Sequence, residues 1–166
     1  MKKILLLSGL LFSVTTILAQ PGKFAGTKKS MIGKVYTETT EIAQLNGWKQ
    51  MEGGVINKPG DPEMIIVDVF KKGTTYLVFF SIKEDTASDK YTIYDLAEIT
   101  GVQKGWVIRS SFCRQNKVED SYIIVWGKQT NDAYMKLIKK AWRFNPDKRR
   151  IELTPVKGID CENVVC

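Results

Sequence analysis

The strongest fold signal in the sequence is MIIVDVFKKGTTYLVFFSI, which spans residues 64–82. Two apolar runs rich in β-branched and aromatic residues, Met64 to Phe70 and Thr74 to Ile82, flank the short connection Lys71-Lys72-Gly73. A glycine in a tight connection between two such runs is typical of a β-hairpin. The sequence therefore predicts two adjacent antiparallel strands here.

The strand pattern continues downstream of this hairpin. Between Trp106 and Phe112, residues on one face alternate with residues on the other, as expected for a strand. Polar turns recur at the spacing expected of an antiparallel meander, for which we expect six to eight strands. The further predicted strands are Tyr91 to Ile99, Trp106 to Phe112, Tyr122 to Trp126, a strand that begins at Lys140, and Ile151 to Thr154.

Two segments favour short helices. In residues 38–46, Ile42 and Leu45 fall on one side, and Gly47 follows as a stop. Residues 131–138 form the second segment, because apolar residues recur at helical spacing from Tyr134 onward. The later part of this apolar pattern, from Ile138 to Phe144, also alternates as in a strand. The predicted fold class is therefore α+β, a predominantly antiparallel meander with one or two short helices. The alternative is an up-and-down β-barrel, because sequential strands can close and so remove their edges.

The composition restricts the possible chemistry. The chain has 166 residues, of which 43% are hydrophobic and 26% charged, and it contains no histidine. These values are typical of a globular protein and exclude collagen-like, coiled-coil and disordered classes. The absence of histidine excludes Ser-His-Asp and Cys-His nucleophiles and histidine-ligated zinc. No glycine-rich phosphate loop is present, so we expect no cofactor and no bound metal.

The first residues have the pattern of an export signal. Lys2 and Lys3 precede an apolar run from Ile4 to Leu18, and the small residue Ala19 marks a cleavage point. A membrane anchor is the alternative, but the run is shorter than the roughly 20 residues that span a bilayer. We therefore expect residues 1–19 to be a bacterial signal peptide, residues 20–34 a flexible segment, and residues 35–166 one β-rich domain in the periplasm or outside the cell.

Export favours a disulfide between two of the three cysteines, because disulfides persist in oxidising compartments. Three pairings of Cys113, Cys161 and Cys166 are possible. We favour Cys113–Cys161, because it joins the C-terminal segment to the β-rich body, whereas Cys161–Cys166 closes only a small loop. A metal site or a catalytic cysteine is the alternative, but the chain offers neither histidine nor a base beside the thiols.

Carboxylates are the remaining acid-base candidates. Asp68 interrupts an apolar strand, and a carboxylate buried there would have a raised pKa and could act as a general acid or base. Asp95 and Glu98 are candidates for the same acid-base role. A pair of these carboxylates could hydrolyse a glycosidic bond. The simpler interpretation is structural: Asp68 lies on a solvated face. We therefore predict no catalytic residue.

Charge is distributed unevenly along the chain. The whole chain carries a formal net charge of +7. Residues 136–150 alone carry +6, because this segment contains seven basic residues and a single acid, Asp147. Such a segment attracts anionic partners. The alternative is a solvated face that keeps the protein soluble. The predicted binding residues are Lys136, Lys139, Lys140, Arg143, Lys148, Arg149 and Arg150.

Three functional hypotheses follow. The first is an exported, non-enzymatic binding or accessory module, such as an inhibitor, with a basic face for an acidic protein, an acidic polysaccharide or lipid head groups. Nucleic acid is a less suitable partner for an exported protein. The second is a carrier that holds a small ligand inside a barrel. The third is a hydrolase that uses Asp68, Asp95 or Glu98.

Overall fold

The computed structural model describes residues 28, 30–83, 85 and 87–163. The predicted signal peptide at residues 1–19 lies outside the described residues, and so does Cys166. Of the predicted flexible segment at residues 20–34, only Lys28 and residues 30–34 are described.

In this part of the chain the backbone forms thirteen strands, two 3₁₀ turns and a helical turn that includes Lys28, Ser30 and Met31. The strands are β1 (Val35–Tyr36), β2 (Lys49–Val55), β3 (Met64–Lys72), β4 (Thr75–Lys83), β5 (Tyr91–Ile99), β6 (Trp106–Ser110), β7 (Cys113–Gln115), β8 (Val118–Glu119), β9 (Ile123–Lys128), β10 (Tyr134–Met135), β11 (Ile138–Asn145), β12 (Arg150–Thr154) and β13 (Ile159–Glu162). The 3₁₀ turns are Thr39–Glu41 and Ala43–Leu45.

The first sheet has five antiparallel strands in the order β1-β5-β4-β3-β2. Its centre is the predicted hairpin, in which β3 pairs with β4 along its whole length, from Met64 opposite Lys83 to Lys72 opposite Thr75. Gly73 has a φ of +60° in the two-residue connection. This conformation suits glycine at the first position of a tight hairpin turn. The strongest sequence prediction is thus confirmed.

The second sheet packs against one face of the first, which we call the inner face. It has four antiparallel strands in the order β12-β11-β9-β6. Buried side chains from both sheets form the main core, including Val69, Val78 and Ile124. Near its middle Phe80 stacks on Phe144, with ring centroids 4.4 Å apart. The core therefore joins the two halves of the chain.

Two further layers cover the outer faces of these sheets. The N-terminal segment places Met31, Ile42 and Leu45 against the outer face of the five-stranded sheet. A small sheet in the order β10-β13-β7-β8 covers the outer face of the four-stranded sheet. Because both large sheets are covered on both faces, their central strands are continuously apolar rather than alternating.

The disulfide lies in this small sheet. Cys113 on β7 is directly opposite Cys161 on β13, and their sulfur atoms are bonded at 2.08 Å. Both residues are fully buried against the four-stranded sheet. This is the pairing favoured from the sequence.

The helix predicted at residues 38–46 is absent from the structure. The two 3₁₀ turns replace it, and between them Ile42 is extended, with φ −84° and ψ +96°. Ile42 and Leu45 are both buried, and their spacing of three residues suits a 3₁₀ turn as well as an α-helix. Docking of these two side chains on the sheet therefore decides the local conformation.

The helix predicted at residues 131–138 is also wrong. The structure has β10 here, and β11 begins at Ile138. Met135 is fully buried and pairs with Cys161, whereas Leu137, which belongs to the helical stripe, is 56% exposed. Pairing with the disulfide-linked strand β13 therefore outweighs the local helical pattern.

The fold is accordingly all-β rather than α+β, while the prediction of antiparallel sheet is confirmed. The strands of the described residues form three hydrogen-bonded sheets with open edges, and not the one closed sheet of the up-and-down barrel alternative. No helix among the described residues has the length and apolar character needed to cross a bilayer.

Candidate functional site

Four of the seven predicted basic residues form ion pairs with acids. Arg143 pairs with Asp120, Arg149 pairs with Glu63, and Lys148 and Arg150 both pair with Glu152. Hydrogen bonds from Asn145, Arg150 and Lys148 lower the pKa of Glu152 to about 2, so this carboxylate stays ionised. These four cations therefore have local structural partners, and the charge that they offer to another molecule is reduced.

The other three basic residues are exposed lysines on and beside β11. Lys136, Lys139 and Lys140 form no ion pair within the described part of the chain. Lys128 is a fourth exposed lysine near this segment. Its backbone amide donates to the backbone carbonyl of Leu137 at 2.9 Å. We call Lys128, Lys136, Lys139 and Lys140 the lysine cluster.

Lys128 was not predicted from the sequence, because it lies outside residues 136–150. Only the pairing of β9 with β11 brings its backbone close to that segment.

Tryptophans lie beside the lysine cluster. The Lys139 Nζ atom is 4.1 Å from the centre of the Trp126 ring, a cation–π distance. Lys140 is directly opposite Trp126 in the pairing of β11 with β9. Trp142, two residues further along β11, is half-buried against the main core. Lys139 and Lys140 therefore lie beside aromatic rings, a combination that suits an anionic group that also has an apolar part.

Asp68 is buried in a polar cluster on the outer face of the five-stranded sheet. Its carboxylate accepts a hydrogen bond from Gln50 Nε2 at 2.7 Å. The Tyr36 hydroxyl donates to Ser81 Oγ at 2.8 Å and lies 3.5 Å from the Asp68 carboxylate. Burial raises the pKa of Asp68 to about 6. The side chain of Asp68 is buried, so the interpretation favoured from the sequence, that Asp68 lies on a solvated face, is wrong.

Asp95 and Asp68 lie on opposite faces of the five-stranded sheet. Asp95 lies opposite Phe80 of the main core and accepts hydrogen bonds from the amides of Leu96 and Ile151, in addition to an ion pair with Lys28 at 2.7 Å. These contacts fasten β12 to β5, which is a structural role.

Glu98 lies directly opposite Leu77, so its side chain is on the outer face, and strand β4 lies between it and Asp68. Burial raises the pKa of Glu98. This arrangement gives the hydrolase hypothesis no support. Searching the described residues for three or more acidic or cysteine side chains that could hold a metal finds no such group.

A cleft of about 530 Å³ lies between the end of β2 and the turn that joins β6 to β7. Gly53, Gly54 and Val55 form one wall, and Ser111 and Phe112 contribute to the other. Val55 is 57% exposed and Phe112 is 56% exposed, so the cleft has apolar sides. This cleft was not predictable from the sequence, because β2 is an exposed strand without a hydrophobic pattern. The two walls of the cleft are also far apart in the chain, with Gly53 and Ser111 separated by 58 positions.

Comparisons with models of protein families, with curated proteins and with solved structures find no match to this chain. The functional argument therefore depends on the surfaces and clefts of the molecule.

Proposed function

We propose that this protein is an exported, non-catalytic binding module that uses the lysine cluster to hold an anionic partner. The observation that carries the proposal is the contrast within the basic segment. Arg143, Lys148, Arg149 and Arg150 are used in ion pairs, whereas the lysines of the cluster form none among the described residues. Unpaired cations raise the local concentration of anions and speed their encounter.

The neighbouring tryptophans restrict the partner further. Lys139 is held over Trp126, so its ammonium group is displayed at a defined place instead of moving freely. Trp142 adds half-buried aromatic surface on the same strand. A polysaccharide with acidic groups and a lipid head group with its adjoining acyl chain both combine negative charge with apolar surface. Export and the disulfide suit a partner of this kind at a cell envelope.

Exchange of Lys139 and Lys140 for glutamate tests the proposal. We expect Lys139→Glu/Lys140→Glu to lower affinity for an anionic surface by roughly tenfold or more, because it reverses two charges at the centre of the cluster. The measurements are the sodium chloride concentration that elutes the protein from heparin and the fraction bound to phosphatidylglycerol–phosphatidylcholine vesicles. Preference for one of these probes distinguishes polysaccharide from lipid.

The matched control is Lys49→Glu/Lys90→Glu, which makes the same change in net charge at two exposed lysines, one on β2 and one immediately before β5. It should bind both probes much more strongly than the cluster variant does. Arg143 and Arg149 are left intact in both variants, because their ion pairs to Asp120 and Glu63 support the fold. Equal retention of the two variants would show that only net charge matters and would refute the proposed site.

A further inference from the structure

We propose that the cleft beside β2 binds an extended polypeptide segment of a partner, which adds as a strand to the free edge of β2. This site is independent of the lysine cluster. Its volume, about 530 Å³, is within the range of roughly 300–1,000 Å³ that is usual for ligand sites. Addition of a strand to an open sheet edge is a common way for proteins to bind peptides.

The first argument is the direction of the main-chain groups. In the described residues β2 pairs only with β3, so it is an edge strand of the five-stranded sheet. The amide of Ile56 donates to the carbonyl of Ile65, which directs Ile56 toward the β3 side. Because hydrogen-bonding direction alternates along an antiparallel strand, the amides and carbonyls of Val55 and Gly53 point the other way. Both residues line the cleft.

The second argument is Gly54. A Cβ atom at Gly53 would lie 2.6 Å from the Asp68 carboxylate and 2.7 Å from the Gln50 amide, so packing requires glycine at that position. At Gly54, by contrast, no atom lies within 4 Å of a Cβ position, and its φ is not in the left-handed region. The fold therefore does not require glycine at 54. The space beside Gly54 is open, so no side chain at this position covers the face of β2 next to the main-chain groups of Gly53 and Val55.

The third argument is the shape of the cleft. Its second wall contains Ser111 and Phe112, with φ of +73° and +51°, which turn the chain sharply after β6. Glu52 closes the seam between β2 and β6, because its carboxylate accepts hydrogen bonds from the Ser110 amide and hydroxyl, both at 2.9 Å. A groove with two walls admits a single extended segment, whereas the sheet edge of a second folded copy needs an open side. Side chains of the segment would contact Val55 and Phe112, so we expect apolar residues at alternate positions.

The test uses the ¹⁵N-labelled protein and a soluble probe, the capped peptide acetyl-Lys-Thr-Val-Thr-Val-Thr-Val-Lys-amide. This peptide has high strand propensity and apolar side chains at alternate positions. We expect saturable changes in the amide signals of Gly53, Gly54, Val55 and the 111–113 turn. Hydrogen exchange of the Val55 amide should become slower by about tenfold or more when the peptide is bound, because that amide gains an acceptor.

Two variants make the test specific. Val55→Pro removes the amide that points into the cleft, and proline is tolerated on an edge strand; we expect about tenfold weaker binding, equivalent to the loss of one hydrogen bond. Val55→Ala keeps the amide and is the control for the lost side chain.

Amide signals of the five-stranded sheet show whether each variant is folded. Absence of peptide-induced changes at the cleft of the wild-type protein would overturn the proposal. Equal binding by the Val55→Pro and Val55→Ala variants would also overturn it, and so would changes confined to another surface.

Discussion

Replacement of both Cys113 and Cys161 by alanine is expected to lower the free energy of unfolding by about 4 kcal/mol, the value that the chain-entropy treatment assigns to a loop of this length. The bond joins residues 48 positions apart, and it restricts the unfolded chain more strongly than the folded one. Alanine is the suitable replacement, because serine would leave a hydroxyl buried without a partner at a fully buried position.

The loss should be largest in the small sheet. The strands of that sheet, β7, β8, β10 and β13, have only two to four residues each. Strands of this length are not stable as an isolated sheet, so the bond between β7 and β13 and the packing on Ile123 and Val125 must hold the layer in place. Hydrogen exchange should therefore accelerate more in β13 than in β4.

Urea unfolding of the double variant and of the wild-type protein, with and without reductant, measures this effect. The reduced wild-type protein should behave like the variant, which serves as the control for the substitutions themselves. A loss below about 1 kcal/mol would contradict the prediction, since it would mean that packing alone holds the small sheet.

The most accurate strand predictions are those for strands whose hydrophobic pattern in the sequence matches their burial in the structure. The predicted strand from Tyr91 to Ile99 coincides with β5, and β3 and β4 differ from their predictions by one or two residues at their ends. In these strands local pattern and tertiary burial agree. Strand β2 was missed because it is exposed along almost its whole length and so carries no hydrophobic pattern.

The two wrong helices show the opposite situation. The spacing of apolar residues fits a helix in both segments, for Ile42 with Leu45 and for Tyr134 with Ile138. The conformation that each segment adopts depends on a partner that is distant in the sequence. For Met135 that partner is Cys161. A single sequence does not reveal such a pairing, although the cysteine pair itself was predictable from the pattern of an export signal and from the spacing of the cysteines.

The candidate site was only partly predictable for a related reason. Counting charges along the chain identified the basic segment, and three of its lysines remain in the proposed site. It did not identify Asp120 and Glu63, which lie on other loops and pair with Arg143 and Arg149. Asp68 was found because a charge inside an apolar run is a local anomaly, whereas its partners Tyr36, Gln50 and Ser81 come from three other strands.

Asp68→Asn is expected to raise the free energy of unfolding above neutral pH. Burial is the largest cause of the raised pKa of Asp68, about 6 in the folded protein against an ordinary 3.8. The folded state therefore binds a proton more tightly than the unfolded state does. Since a raised carboxylate pKa favours the protonated folded form, the wild-type protein loses stability as pH rises from about 4 to about 6 and does not regain it above that range.

The size of the effect follows from the same shift. About two pKa units correspond to about 3 kcal/mol, because one unit is 1.36 kcal/mol. Asparagine keeps an oxygen that accepts from Gln50 and adds an amide that can donate toward Tyr36, so it fits the existing cluster without a buried charge. We expect Asp68→Asn to exceed the wild-type stability by up to about 3 kcal/mol at pH 8 and to approach it near pH 4.

Urea unfolding of wild type and variant at several pH values between 4 and 8 gives this difference directly, so that the titration of all other carboxylates cancels. Asp147→Asn is the control, because Asp147 is exposed in the turn between β11 and β12 and the substitution removes a surface charge without changing a buried one. A difference between Asp68→Asn and wild type that stays constant across this pH range would show that the buried carboxylate does not titrate there. A variant less stable than wild type at pH 8 would show that the ionised carboxylate, with its hydrogen bond from Gln50, contributes more to the outer-face packing than its burial costs.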